Sequence, residues 1–184
     1  MRNDDELYSS FLSGESSAFD ELMIRYGDSL TYYLNGYLHN PEDAEDLMIE
    51  SFARIMVKKP KIHKGNFKAY LYKTARNLAS RFHEKKKRTG DFSLDDLNEQ
   101  GIEPVYSEDN YLEEERKKAL HMCIKRLDPW LREALWLFYF EGLSYADAAD
   151  VMGVSKKKID HLLSKGKEQL KRELAKEGIV NAYE

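Results

Sequence analysis

The 184 residues, 42% apolar and 34% charged with one cysteine and a formal net charge of −4, leave room for one large or two small domains and describe a folding chain rather than a disordered one. Lone Cys123 excludes an intramolecular disulfide and a cysteine zinc site, and reads as a small buried hydrophobe. With no run of about 18 apolar residues and an acidic rather than basic stretch over residues 1–15, the expectation is a cytoplasmic protein without membrane span or secretory signal.

Apolar residues recur at helical spacing from the first block onward. Phe19, Leu22, Met23 and Tyr26 mark one helix; Leu30, Tyr33, Leu34, Tyr37 and Leu38 mark a second; Leu47, Met48, Phe52, Ile55 and Met56 mark a third. The third has a defined start, with Asn40 as N-cap, Pro41 at the first helical position and Glu42, Asp43 and Glu45 favourable to the helix dipole. It ends near residues 58–60. A fourth helix is expected from Asn66 to about Lys86, with Phe67, Tyr70, Leu71, Thr74, Ala75, Leu78 and Phe82 on one stripe. Phe67, Tyr70 and Phe82 are assigned to the core, and Tyr72, off that stripe, is the aromatic expected at the surface.

Periodicity lapses over residues 89–110, where acidic residues gather with Gly90, Gly101 and Pro104, as in a connector. Beyond it Ala119, Leu120, Cys123, Ile124 and Leu127, then Leu131, Ala134, Leu135, Phe138 and Tyr139 past Asp128 and Pro129, predict two further amphipathic helices. Gly142 ends the second. Ser144 caps a short helix to Met152, with Asp147 at the capping-box position. Gly153 supplies a tight turn, Val154 plugs the space between helices, and Ser155 caps a last helix that begins Lys156, Lys157, Lys158 and turns Ile159, Leu162, Leu163 and Leu170 to the core. Cap, turn and second cap at this spacing make a helix-turn-helix, whose second helix enters the DNA major groove.

Charge follows the same division. Residues 1–60 carry twelve acidic against five basic side chains, and residues 89–116 ten against one. Residues 81–88 hold five basic residues against Glu84, and residues 153–172 seven against Asp160 and Glu168. Two basic islands in an acidic chain point to two local contacts with a polyanion.

Several strings then carry a resemblance. Ala18-Phe19-Asp20-Glu21-Leu22 through Arg25-Tyr26, Pro41 to Leu47, Glu50 and Phe52 come first. Phe67, Tyr70-Leu71, Ala75, Arg76 and Asn77 follow. In the last third stand Leu127, Arg132, Glu133, Tyr139, Glu141-Gly142-Leu143-Ser144-Tyr145, Ala149 and Gly153-Val154-Ser155. In order and spacing they resemble the extracytoplasmic-function branch of the sigma-70 family. The sequence departs from the family pattern at Tyr70, where tryptophan is common, at Thr74, at Asp160 and Leu162, often basic, and at Gly166, usually alanine. The altered recognition helix implies an altered promoter preference.

The resemblance implies an all-α fold of two helical domains, a region 2 bundle over residues 1–89 and a region 4 helix-turn-helix over 111–178, joined by an acidic linker over 90–110 and followed by a tail over 179–184. It implies a transcription initiation factor, neither an enzyme nor dependent on a cofactor, metal or small-molecule substrate. Its partners would be core RNA polymerase, promoter DNA and an anti-sigma factor, the last a means of holding it at the membrane. Asp43, Asp46 and Glu50, spaced three and four apart, would dock with Leu47 and Phe52 on the polymerase clamp helices. Lys61, His63, Lys64 and Asn66 would receive a flipped minus-ten base, with Tyr72 stacking. Lys73, Arg76, Asn77, Arg81, Lys85, Lys86, Lys87 and Arg88 would add phosphate and base-edge contacts. Ser144, Ser155, Lys156, Lys157, Lys158, His161 and Lys165 would meet the minus-thirty-five element, and the acidic linker would imitate nucleic acid inside the polymerase.

Two other classes compete with this reading. In an operator-binding regulator residues 1–88 would sense a signal or dimerise, and the C-terminal domain would bind a palindrome without polymerase. A nuclease would use the carboxylates of the third helix, but neither a histidine at bundle-metal spacing nor a glycine-rich phosphate loop accompanies them.

Overall fold

The computed structural model describes residues 2–89 and 119–179. The regular structure among them is helical throughout, and the chain divides into two compact units, Met1–Glu103 and Pro104–Glu184. The division falls inside the segment expected to connect the domains; that segment and the acidic-linker reading lie outside the described residues.

The first unit opens with a helix that the sequence reading does not include, α1 (Asp4–Leu12). Asn3 and Glu6 form a reciprocal capping box, each side chain accepting from the other's backbone N–H at 2.9 Å. Nine residues make a marginal helix in isolation. Burial of Leu7, Tyr8 and Phe11 and a tie to the next helix hold it, with Asp4 accepting from Arg25 Nη1 and Tyr26 Oη, both at 2.5 Å. The signals were present: Asn and Glu three residues apart, then apolar residues at helical spacing.

Next comes α2 (Ser16–Leu38), one helix where the spacing suggests two. Gly27 in its middle costs about 1 kcal/mol relative to alanine, which the unbroken buried stripe Phe19, Leu22, Tyr26, Leu30, Tyr33 and Leu34 offsets. A Cβ at Gly27 would stand 4.0 Å from Met48 Sδ on α3 (Pro41–Lys58), so the glycine lies where the two helices pack. As expected, α3 starts at the Asn40 cap, whose Oδ1 accepts from Asp43 N at 3.0 Å, with Pro41 in the first turn. It stops at Lys59, in the left-handed region at φ 44°. A short loop leads to α4 (Phe67–Thr89). The core between these helices is aromatic: Phe11 and Phe19 lie 4.5 Å apart, Phe19 meets Phe52 edge-on at 5.9 Å, and Tyr8 meets Phe67 at 5.3 Å.

In the second unit, residues 119–125 form the described part of α5, which buries Cys123 as expected. Asp128 caps α6 (Pro129–Leu135), with Pro129 in its first turn. The helix then widens into a π turn, Trp136–Phe140, closed by Glu141 N donating to Trp136 O at 3.1 Å. This departs from the continuous helix expected to bury Phe138 and Tyr139. Leu137 is buried instead, Phe138 is half-buried and Tyr139 is exposed, because a π turn inserts one residue and shifts the inward face. Two more helices follow, α7 (Tyr145–Met152) and α8 (Lys156–Lys176).

Candidate nucleic-acid interface

On α4, burial takes Phe67, Leu71, Tyr72, Ala75, Leu78 and Ala79. Tyr72 is 0% exposed, its ring 5.1 Å from Tyr33 and its hydroxyl 3.0 Å from Ser29 Oγ on α2. This overturns its reading as a surface stacking residue. Tyr70 and Phe82, expected in the core, are only half-buried. The apolar stripe is turned relative to the expected one because α4 packs against α2 as well as α3, a double demand that one helix's periodicity does not disclose.

Two cation-bearing grooves flank that buried stripe. Tyr70, Thr74, Asn77 and Arg81, each three or four residues after the last, line a cleft of about 160 Å³ together with Arg54 and Lys58 of α3. Arg54 and Lys58 lie outside the expected DNA-binding set; no motif flags them, since only the fold brings the end of α3 beside α4. On the other side, Arg76, Ser80, His83, Glu84 and Lys87 meet Tyr37 of α2 around a cavity of about 320 Å³. There Arg76 Nε donates to Tyr37 Oη at 3.3 Å, and His83 Nε2 lies 2.8 Å from Tyr37 O. The structure thus separates Asn77 and Arg81 from Arg76 and Lys87. Lys73 is half-buried, while Lys85 and Arg88 are exposed.

The loop between α3 and α4 presents Lys61, His63, Lys64 and Asn66, all exposed. It turns at Gly65, at φ 79°, and Asn66 N donates to His63 O at 3.0 Å.

The carboxylates of α3 do not act as one set. Asp46 is exposed, Glu50 is engaged by Arg54 at 2.7 Å, and Asp43 pairs with Lys86 Nζ at 2.8 Å, both partners about three-quarters buried. One residue expected at the polymerase and one expected on DNA are therefore bonded to each other across α3 and α4. Leu47 and Phe52 are 6% and 0% exposed, which corrects their reading as surface contacts: with Ala44, Ser51 and Ile55 they form the one face of α3 that is turned to the core. The apolar residue that does stand beside Asp46 and Glu50 is Ile49, 49% exposed.

In the second unit, Ser144 Oγ accepts from Asp147 N at 3.1 Å and donates to Asp147 Oδ2 at 2.6 Å. The Asp147 carboxylate meets the cap's hydroxyl, a shorter reach than that of a glutamate in a capping box. Gly153 takes the left-handed turn at φ 66°, a region costly to residues with a Cβ. Ser155 Oγ then accepts from Lys158 N at 3.2 Å and starts α8. Ile159, Leu162, Leu163 and Gly166 are buried, and Leu170 is half-buried. Lys156, Lys157, Lys158, His161 and Lys165 are all exposed. Ser144 and Ser155 are thus committed to capping, and the cations stand free on the outer face. A buried Glu141 carboxylate accepts from Trp136 Nε1 at 3.1 Å, and Arg132 Nη1 donates to Lys125 O at 3.1 Å. These motif residues make local contacts within the second unit. Among the described residues no cluster of His, Cys, Asp and Glu is arranged to hold a metal ion, and no helix is long and apolar enough to cross a membrane.

Comparison with known proteins agrees in both units. Residues 22–89 match Sigma-70 region 2, and residues 117–170 match Sigma-70, region 4. The ECF RNA polymerase sigma factor BldN of Streptomyces coelicolor is 34% identical over 155 residues, 80% of this chain and 57% of that protein. The ECF RNA polymerase sigma factor SigE of Mycolicibacterium smegmatis is 30% identical over 166 residues, 86% of this chain and 62% of its own. The chain thus spans about three-fifths of the length of these two relatives. ECF RNA polymerase sigma factor SigM of Bacillus subtilis is 26% identical over 83% of this chain and 92% of its own. In fold, the chain is similar to CnrH, solved with the cytosolic domain of CnrY, at a TM-score of 0.65 and 18% identity over 94% of this chain and 97% of that one. It is also similar to the sigma factor RpoE of Bartonella quintana, solved with the anti-sigma factor NepR, at a TM-score of 0.64 and 24% identity over 85% of this chain and 96% of that one. With both regions present in order on one chain whose described regular structure is helical, the protein belongs to the sigma-70 family of RNA polymerase sigma factors, in its extracytoplasmic-function branch.

Proposed function

We propose that the protein is a promoter-specificity subunit that binds core RNA polymerase, assists opening of the minus-ten element and reads the minus-thirty-five element. The observation that carries this reading is the pairing of region 2 and region 4 on one chain, each with exposed basic or polar groups facing outward. A lone helix-turn-helix would fit many regulators.

The chemistry follows from the surfaces. Asp46 and Glu50 offer carboxylates to basic groups on the polymerase, and Ile49 supplies the apolar contact that buried Leu47 and Phe52 cannot. Opening DNA costs unstacking energy, which protein groups offset by pocketing a base and holding the released strand's phosphates. The loop side chains Lys61, His63, Lys64 and Asn66 take the base. Tyr70, at the mouth of the cleft with Arg54, Lys58, Asn77 and Arg81, is the stacking aromatic in place of Tyr72. Lys73, Arg76, Lys85, Lys87 and Arg88 extend the basic track. Lys86 contributes once DNA phosphate competes it away from Asp43. On α8, Lys157, Lys158, His161 and Lys165 face the major groove while Ser144 and Ser155 orient the two helices.

The chemistry of this site is binding, without catalysis or a cofactor. The reading includes a cytoplasmic location and restraint by an anti-sigma factor; the restraint is supported by the solved RpoE–NepR complex of a structurally similar protein. Gel filtration with purified core RNA polymerase tests it. Wild type should co-elute stoichiometrically, and Asp46→Lys with Ile49→Ala should stay behind. A wild-type protein that runs as a polymerase-free dimer would instead be an operator-binding regulator.

A further inference from the structure

The loop over residues 60–66 presents exposed polar side chains and has little packing of its own. A loop that must receive one base needs its backbone held by something else. Two long-range hydrogen bonds reach it from α1, one at each end. Tyr8 Oη donates to Pro60 O at 2.7 Å, and Gly65 N donates to Asp5 Oδ1 at 2.7 Å.

The helix that provides these bonds is itself fixed on both flanks of the loop. The Tyr8 ring packs 5.3 Å from Phe67, the first residue of α4, and Lys59, the last before the loop, sets its ammonium 5.1 Å above the Phe11 ring. Asp4 binds α1 to Arg25 and Tyr26 of α2. This helix precedes the segment that matches Sigma-70 region 2, which begins at residue 22.

We infer that α1 belongs to the minus-ten reader, with Asp5 and Tyr8 as positioning residues that clamp the two ends of the base-receiving loop. The inference rests on the proposed role of that loop. Tyr8 acts through its hydroxyl and Asp5 through an acceptor oxygen; neither touches DNA. Burial pushes the Tyr8 phenol up to about 12, so it keeps its proton and goes on donating across the neutral range. Gly65 adds the turn that points its N–H at Asp5, its φ of 79° being strained for any other residue.

The test uses holoenzymes assembled from core RNA polymerase and the full chain, selecting from single-stranded oligodeoxynucleotides with a randomised central window. Wild type should enrich a minus-ten motif. Tyr8→Phe, which keeps the buried ring, and Asp5→Ala should each lower that enrichment about fivefold, the factor of one hydrogen bond of ordinary net strength. Asp5→Asn retains an acceptor for Gly65 N and should enrich as wild type does. All three should bind core RNA polymerase as wild type does, which also reports that they fold. Enrichment unchanged in Tyr8→Phe and Asp5→Ala overturns the inference. So does a loss in Asp5→Asn equal to that in Asp5→Ala, since the charge at the start of α1 would then matter rather than the bond to the loop. A wild-type holoenzyme that enriches nothing sinks the minus-ten reading itself, a result distinct from either of these.

Discussion

Gly166 lies inside the continuous helix α8 where it packs against Leu135 of α6, and replacing it with alanine sets two effects against each other. Helix propensity favours alanine by about 1 kcal/mol. Against this, an alanine Cβ would stand 3.1 Å from both Cγ and Cδ1 of Leu135 and 3.5 Å from its Cδ2. Leu135 is 3% exposed, and its Cγ cannot retreat by a turn of the terminal methyls alone, so the whole side chain or the helix must shift. Overpacking of this kind costs about 1–3 kcal/mol, and the net expectation is destabilisation by about 1 kcal/mol. The two tryptophans of the chain, Trp130 and Trp136, both lie in the second unit, so their fluorescence in the full-length protein follows that unit. With a urea slope of about 1 kcal/mol per molar, Gly166→Ala should lower the midpoint by about 1 M. In a Leu135→Ala background the obstruction is gone, and the same substitution should raise the midpoint. A higher midpoint for Gly166→Ala alone would show that the helices do not approach so closely and that propensity governs this position.

Two further expectations concern aromatic placement and pH. Tyr72→Phe loses the bond to Ser29 and should lower the stability of the first unit by about 1 kcal/mol in thermal denaturation while leaving promoter opening intact; Tyr70→Ala should do the reverse, and permanganate reactivity of the opened strand distinguishes them. The His121 imidazole, beside Trp136 and Phe140, is held below its usual 6.5 by burial and then by Lys125. Its neutral form favours the folded state, so the stabilisation is full above pH 6.5 and is lost as the pH falls toward the lowered folded value. The tryptophan-detected urea midpoint should decline on acidification below that point, and His121→Gln should flatten the decline; an equal decline in the variant assigns it to other groups.

Local chemistry was legible in the sequence wherever a backbone group had to be satisfied within a few residues. Asn40 with Pro41, Ser144, Gly153 and Ser155 all cap or turn as read, because the partner of each lies close along the chain. The exposed cations of α8 followed as well, since its apolar residues leave one outer face. The helix α1 could have been read from Asn3, Glu6 and the apolar residues after them; its acidic composition concealed it.

Other features were decided by packing between segments distant in sequence. Periodicity establishes that α4 has a buried face but not whether one neighbour or two will cover it, and so it left Tyr70 and Tyr72 exchanged. The same ambiguity placed Leu47 and Phe52 at a surface that Ile49 and Asp46 occupy. The pairing of Asp43 with Lys86, the arrival of Arg54 and Lys58 beside Asn77, and the clamping of the loop by Asp5 and Tyr8 join residues from 19 to 60 positions apart. Contacts at that range depend on how whole helices dock, which is set by the sum of buried apolar area over the unit and not by any local motif. Sequence alone determined most of the helices, several of their caps and the family; tertiary structure decided which side chains those helices leave exposed.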